Sequence, residues 1–342
     1  MFHNKGSAKV KLRTMLNGGI GFAKAKLFGK KIPLVVGMAL TNKCNLKCEY
    51  CNISSIKSKE MTTNQVLQVI DLLADSGCIR IGFTGGEPLL RKDIKEIIEH
   101  CKEMGIESTL TTNGVLIENK LSDLKDLSLL IVSIDGNEKV NDCIRGKNSF
   151  KMAKNAVTLA KKSGLHVALS TVVSKANKDQ LKYLFDFSKE PKSSIHFQFV
   201  SGIPLTANNI SKYLLSNSEK KEIVSRIIEE KKINPLILNS RDGLNEMATA
   251  LSGKRINSSN CAAGRIFFRV STEGKLYSCW RQKNKSSLDL TKLIGKSPKM
   301  FENELNKLSL PECASCEIAD GIELSLVNAL NPKSVLNVFL RY

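Results

Sequence analysis

Six strand-length apolar runs alternate with helix-length stretches between residues 32 and 200, and this alternation restricts the chain to a parallel α/β architecture. The runs are 32–40, 79–83, 107–111, 129–136, 166–173 and 195–200. Helices are predicted over 62–76, 91–104, 117–125, 149–163 and 178–188. In the first of these, Val66, Val69, Ile70, Leu72 and Leu73 share one face, and Gly77 stops it. Polar residues collect at the C-terminal ends of the runs. The expected fold is α/β, a parallel barrel, complete or partial, with its site at that end.

The first run leads into Cys44, Cys48 and Cys51, spaced C-x3-C-x2-C. Thiolates are strong ligands for soft metals, and three on one tight loop converge on one face of an iron–sulfur cluster. A fourth ligand is not near, since the next cysteine, Cys78, stands at the far end of a predicted helix. A zinc site would want that fourth Cys or His. After the second run comes Thr84-Gly85-Gly86-Glu87-Pro88. Consecutive glycines let the backbone approach a ligand closely, and a carboxylate beside them accepts bonds from an ammonium group.

Together these stretches resemble the two signatures of the radical SAM superfamily, with Tyr50 at the aromatic position of C-x3-C-x-aromatic-C. The resemblance implies an open (β/α)6, TIM-like partial barrel. It implies that Cys44, Cys48 and Cys51 hold a [4Fe–4S] cluster whose open iron binds S-adenosylmethionine. Electron transfer into the sulfonium then yields a 5′-deoxyadenosyl radical. Gly85, Gly86, Glu87 and Pro88 correspond to the segment that binds the methionyl amino group. Asn113, Ser133, Asp135 and Ser170, at strand ends, correspond to positions near the cofactor. Residues 140–146 resemble the family's his-asp-x-x-arg-gly loop with Asn141 in place of His, and Arg145 is expected to pair with the methionyl carboxylate. Cys143, beside Arg145, is a candidate hydrogen-atom donor. Otherwise it reads, with Cys78 and Cys101, as a small apolar residue.

Cys261, Cys279, Cys313 and Cys316 form a second constellation. Residues 265–270 and 276–278 read as a β-hairpin turning at Gly274, and C-x2-C supplies the other pair. Four thiolates ligate either zinc or a [4Fe–4S] cluster, and taken alone the set favours zinc. Behind a radical SAM barrel, the pattern resembles the SPASM/twitch extensions, and its end after C-x2-C matches the shorter, one-cluster twitch form. The spacing is similar to that of a cyclitol-oxidising member. In sulfatase-maturing relatives an aspartate follows the hairpin's second cysteine, whereas Trp280 and Arg281 stand here. That argues against sulfatase maturation and leaves Arg281 as a candidate catalytic residue.

The chain thus divides into a basic arm (1–31), the barrel (32–200), a helical connection (201–258), the auxiliary-cluster module (259–318) and an apolar tail (319–342). The formal net charge is +19, and ten Lys and Arg precede the first acid, Glu49. Such a surface suits an acidic electron carrier, flavodoxin or ferredoxin, or an anionic membrane. No nucleic-acid signature accompanies it. In the arm, Leu12, Leu16, Ile20, Ala23 and Leu27 recur at helical spacing among lysines. This helix is expected to lie across the bottom of the barrel or on anionic lipid. The tail is expected to close the barrel's open side or to join the arm at a membrane. No apolar run is long enough to span a bilayer, no secretory h-region follows the basic start, and ten clustered cysteines fit a reducing cytoplasm. The arm is also too short for an N-terminal peptide-recognition domain.

The expectation is a radical SAM oxidoreductase whose auxiliary cluster relays electrons while a sugar or cyclitol is oxidised or epimerised. The alternatives are radical modification or carbon–carbon coupling of a membrane lipid, modification of a ribosomal peptide, and a non-enzymatic zinc- or cluster-binding regulator.

Overall fold

The computed structural model describes residues 18–201, 210–252, 261–280, 286–311, 313, 316 and 319–329. Strands β1 (Val35–Thr41), β2 (Arg80–Gly85), β3 (Glu107–Thr112), β4 (Leu129–Ser133), β5 (Val167–Val173), β6 (Ser194–Phe199), β7 (Phe267–Val270), β8 (Lys275–Tyr277) and β9 (Leu288–Asp289) build one sheet. Its order is β6-β5-β4-β3-β2-β1-β7-β8-β9, so the sheet does not close on itself and β6 and β9 are its outer strands. All pairings from β6 across to β7 are parallel, and β8 and β9 add antiparallel.

The strands alternate as a two-faced sheet requires. Val36, Met38, Ile81, Phe83, Leu110, Leu130, Val132, Leu169, Ile195 and Phe268 enter the main core beneath the helices. The opposite face carries Gly37, Gly82, Thr84, Thr109, Thr111, Ser170, His196, Gln198 and Arg269. These small and polar side chains do not fill a barrel as layers of branched residues would. A cavity of about 390 Å³ remains inside.

Residues 18–28 form α1, followed by α2 (Thr63–Asp75), α3 (Ile94–Glu103), α4 (Ile117–Lys120), α5 (Glu138–Arg145), α6 (Ser149–Lys162), α7 (Leu181–Lys189), α8 (Asn217–Lys231), α9 (Arg241–Leu251), α10 (Pro298–Lys307) and α11 (Ala319–Asn328). Thr62 starts α2 with a reciprocal capping box to Gln65, which fixes where the cysteine-bearing loop ends.

Three features differ from the sequence reading. The fourth run leaves the sheet after Ser133, because the Asn141 side chain takes the Asp135 amide into a turn. The stretch expected as a loop at 140–146 is the helix α5, capped by Asn137 and ended at Gly146, whose φ of 114° suits glycine. The hairpin of the auxiliary module is continuous with the barrel: β7 pairs with β1, Val35 opposite Phe267 and Gly37 opposite Arg269. Phe268 and Val270 share the main core with Val36 and Met38, which explains why the hairpin docks there.

At the barrel bottom, Phe22 and Ala25 of α1 pack against the cluster of Ile32, Leu34, Ile79, Ile266, Phe267 and Leu324. At the outer edge of the sheet, Ile237 bridges to Ile195, and the Asn239 amide bonds both backbone groups of Phe197, closing the free edge of β6. Glu323 of α11 accepts the Ser240 amide at 2.7 Å. The described part of the tail therefore covers the open side, while residues 1–17 and 330–342 lie outside the described residues. No described helix is long and apolar enough to cross a membrane.

Candidate active site

The C-terminal end of β1 carries the cysteine loop, and the end of β2 is locked against it. Gly86 donates its amide to the Thr41 carbonyl and Glu87 donates to the Lys43 carbonyl, both at 2.8 Å. A Cβ on Gly85 would overlap the Thr41 carbonyl, and one on Gly86 would overlap the Lys43 carbonyl. The glycines are thus required by backbone approach between the two motifs. Gly85 also has a φ of 130°, outside the range of ordinary L residues.

Cys44, Cys48 and Cys51 line one pocket of about 170 Å³ with Tyr50, Gly85, Gly86, Asn113, Ser133 and Arg145. Seven of the expected cofactor or metal residues apart from Tyr50 and Arg145 therefore meet there. Leu46, Ile53, Ser54, Thr84, Thr111, Thr112 and Val172 also line it, and the sequence reading did not single them out. The signal for Thr84 and Thr111 was their place at strand ends. Leu46 and Ile53 carry no signal beyond lying beside the cysteines.

Burial pushes the Cys48 thiol up to about 11, with Arg145 opposing and Asp135 adding to the rise. Burial also raises Cys44, against a backbone bond at Leu46 and a contact from Asn113. Such thiols need a cation to stand as thiolates in this pocket, so the donor set fits a bound iron–sulfur cluster. Among the described residues, no group of three His, Cys, Asp or Glu is set to hold a single metal ion.

Glu87 lies behind the lining, fully buried. Its carboxylate accepts the Leu89 amide, the Thr112 hydroxyl and the Asn113 amide at 2.8–3.0 Å. Burial raises its pKa despite these bonds. Pro88 begins a short 3-10 turn at Pro88–Leu90. Asn113, positioned by Glu87, bonds the Asn45 side chain at 2.7 Å and reaches the Cys44 sulfur at 3.9 Å.

Asp135 is also withdrawn from the pocket. Its Oδ2 accepts Tyr50 Oη and Arg145 Nε, each at 2.7 Å, and its Oδ1 accepts the Val172 amide. Arg145 Nη2 bonds Tyr50 Oη at 2.9 Å. Asp135 is thus the internal partner of Arg145. Ser170 faces the barrel cavity instead of the cysteine pocket. Cys143 is exposed on α5 and lines neither space, and Cys78 and Cys101 are buried core residues. Arg281 lies outside the described residues.

Burial first, then the charges of Cys279 and Cys313, raise the Cys261 pKa, which places those three thiols in one neighbourhood. Cys316 packs at the edge of the main core. The hairpin also touches the cysteine loop: Met61 donates its amide to the Thr272 carbonyl at 2.8 Å, and the Ser58 and Thr272 hydroxyls lie 2.9 Å apart.

Residues 38–188 match the model of the radical SAM superfamily. The barrel is a radical SAM domain. Among curated relatives, Fe-coproporphyrin III synthase of Methanosarcina barkeri is 34% identical over 48% of this chain, which spans only 43% of that protein. PqqA peptide cyclase of Bradyrhizobium diazoefficiens is 26% identical over 78% of this chain and 70% of its own length. Among solved structures, SuiB of Streptococcus suis bound to S-adenosylmethionine superposes with a TM-score of 0.65 at 16% identity, covering 82% of this chain and 68% of that one. SuiB bound to precursor peptide SuiA gives 0.63 at 18% identity, over 88% and 76%. The radical SAM superfamily uses a [4Fe–4S] cluster and S-adenosylmethionine. The superpositions establish the shared partial-barrel fold.

Proposed function

We propose that this chain is a radical SAM enzyme that modifies a peptide. The observation that carries the chemistry is the single pocket where three half-buried thiols meet the glycine-rich end of β2. Cys44, Cys48 and Cys51 would hold a [4Fe–4S] cluster there. When bound, that cluster supplies the electron that cleaves S-adenosylmethionine and so starts hydrogen abstraction. The protein's part is positioning: Glu87 fixes Asn113 beside Cys44, while Tyr50 and Asp135 fix Arg145 at the pocket wall. Cys261, Cys279, Cys313 and Cys316 would hold an auxiliary [4Fe–4S] cluster that takes the second electron. A flavodoxin or ferredoxin would supply the first, drawn by the basic surface.

The peptide reading rests on two relatives whose own partners are peptides, PqqA peptide cyclase and the SuiB–SuiA complex. The expected sugar or cyclitol substrate gains no such support. Anaerobically reconstituted protein should form 5′-deoxyadenosine under a low-potential reductant. Short peptides encoded beside its gene should change mass on incubation. Stoichiometric zinc without cleavage of S-adenosylmethionine would remove the enzyme reading; cleavage without any peptide product would remove the peptide reading alone.

A second reading concerns location. Ile20, Leu27 and Phe28 of α1 are 55%, 76% and 72% exposed, with Lys24 and Lys26 beside them. An exposed apolar and basic face suits peripheral attachment to anionic lipid. Sedimentation with phosphatidylglycerol liposomes at low salt, lost in Leu27→Glu/Phe28→Glu, tests it.

A further inference from the structure

The barrel cavity and the cysteine pocket share Thr84 and Thr111, so the two spaces adjoin. They also meet along β4 to β6. Ser133 lines the pocket and its register partner Ser170 lines the cavity; Val172 lines the pocket and its register partner Gln198 lines the cavity. Gln198 is turned this way by its neighbours, because Phe197 and Phe199 enter the main core and side chains alternate along a strand. Thr84, Thr111, Ser170 and Gln198 thus give the boundary between the two spaces an uncharged, hydrogen-bonding lining. The ionic side chains of the cavity are engaged elsewhere: Arg80 is bonded to Glu107 at 2.6 Å, the Arg269 guanidinium lies against the rings of Phe267 and Trp280, and Glu323 accepts the Ser240 amide.

Within that lining Gln198 combines donor and acceptor in one plane, since a carboxamide carries N–H donors and a carbonyl oxygen. Its oxygen and its N–H can serve one edge together, as the C=O and N–H of a single extended residue do toward a neighbouring strand. The side chain can therefore stand in for the edge of a partner strand, accepting the N–H and donating to the C=O of one residue. Gln198 is half-buried, and among the described residues no hydrogen bond occupies its carboxamide.

We propose that Gln198 grips the backbone of one extended residue of the substrate peptide and holds it where the cavity meets the cofactor pocket. This rests on the peptide reading and deepens it: recognition at this point is of main chain, so the identity of the side chain does not decide it. The hydroxyls of Thr84, Thr111 and Ser170, on the same boundary, would serve the adjoining peptide units. Because Gln198 is level with Val172 of the pocket wall, the gripped residue would present its own carbons to the radical.

Equilibrium dialysis of the reconstituted full chain tests this with labelled probes. N-acetylalanine N-methylamide offers the N–H and C=O of one residue. O-acetyllactic acid N-methylamide has the same shape with an ester oxygen in place of that N–H, and myo-inositol is a neutral polyol. The amide should bind at least tenfold tighter than the ester and shift the emission of Trp280, the chain's single tryptophan, which lines the same cavity. Gln198→Met should erase the preference while the iron content stays at the parent level. Should that variant not fold, Gln198→Asn, which withdraws the carboxamide by one methylene, should weaken amide binding at least tenfold. Equal affinity for amide and ester, absence of binding included, overturns the proposal, as does a preference that survives both substitutions. Binding that leaves the emission unmoved places the amide outside the cavity and also overturns it, and so does myo-inositol binding as tightly as the amide. Because dialysis requires no turnover, an amide preference without any modified peptide would sink the peptide reading and leave this grip standing. A modified peptide without amide preference would do the reverse.

Discussion

Asp135 holds Arg145 through a 2.7 Å bond between Oδ2 and Nε, both side chains being buried, Arg145 at the wall of the cysteine pocket and Asp135 behind it. The same oxygen accepts Tyr50 Oη, so one carboxylate ties the turn after β4, the helix α5 and the cysteine loop into a unit. Val172 adds β5 through the second oxygen. Arg145 reaches the pocket already oriented, and Tyr50 serves as the loop's internal post.

Removing one partner of a buried pair leaves the other charge uncompensated, which costs about 3–5 kcal/mol. Asp135→Asn should therefore lower the thermal midpoint sharply, and the double variant Asp135→Asn/Arg145→Met should recover part of that loss. A double-mutant cycle by denaturant unfolding checks it; additive losses would show that the pair is not coupled.

Gly86→Ala tests the approach of the two motifs. The added methyl would meet the Lys43 and Asn42 carbonyls, which are backbone and cannot swing aside. Overpacking of this kind costs about 1–3 kcal/mol, and the strain falls between the cysteine loop and the end of β2. Affinity for S-adenosylmethionine should drop at least tenfold, measured by dialysis of reconstituted protein. Far-ultraviolet circular dichroism should stay at the parent value.

Glu87 carries a pH signature. Its folded pKa is raised above the ordinary carboxylate value, chiefly by burial. Between the unfolded and folded values the native state holds the extra proton, so stability falls as pH rises through that window and is flat above it. Glu87→Gln should remove this slope. It should also cost about 1–3 kcal/mol, because an amide cannot accept from all three of Leu89, Thr112 and Asn113 with both its heavy atoms. Urea unfolding across the acid range, parent against variant, measures both effects.

Much of this architecture was legible in the sequence because it is written in short-range patterns. The runs at 79–83 and 107–111 became β2 and β3 with nearly the expected bounds, since alternation and flanking turns are local signals. The cysteine and glycine motifs announced a shared pocket because their chemistry depends on spacing. The places of Glu87 and Asp135 were not legible. Whether a carboxylate faces a ligand or a neighbouring amide depends on partners 25 to 37 residues away, Thr112 and Val172 among them. The docking of β7 on β1 was hidden for the same reason: it joins residues more than 200 positions apart, Gly37 with Arg269. No periodicity in either segment encodes that pairing.

The two cysteine sets should separate in an iron assay. With two four-iron clusters the reconstituted parent should hold about eight irons per chain. Cys44→Ala/Cys48→Ala/Cys51→Ala should hold about four and form no 5′-deoxyadenosine. Cys261→Ala/Cys279→Ala should also hold about four, yet still cleave S-adenosylmethionine, because the cysteine pocket is built from the ends of β1 to β5 and from α5. The hairpin meets that loop through Met61 and Ser58 on Thr272, beyond the three cysteines in sequence. Loss of cleavage in the second variant, with its four irons retained, would show that this contact couples the auxiliary set to the first step of the reaction.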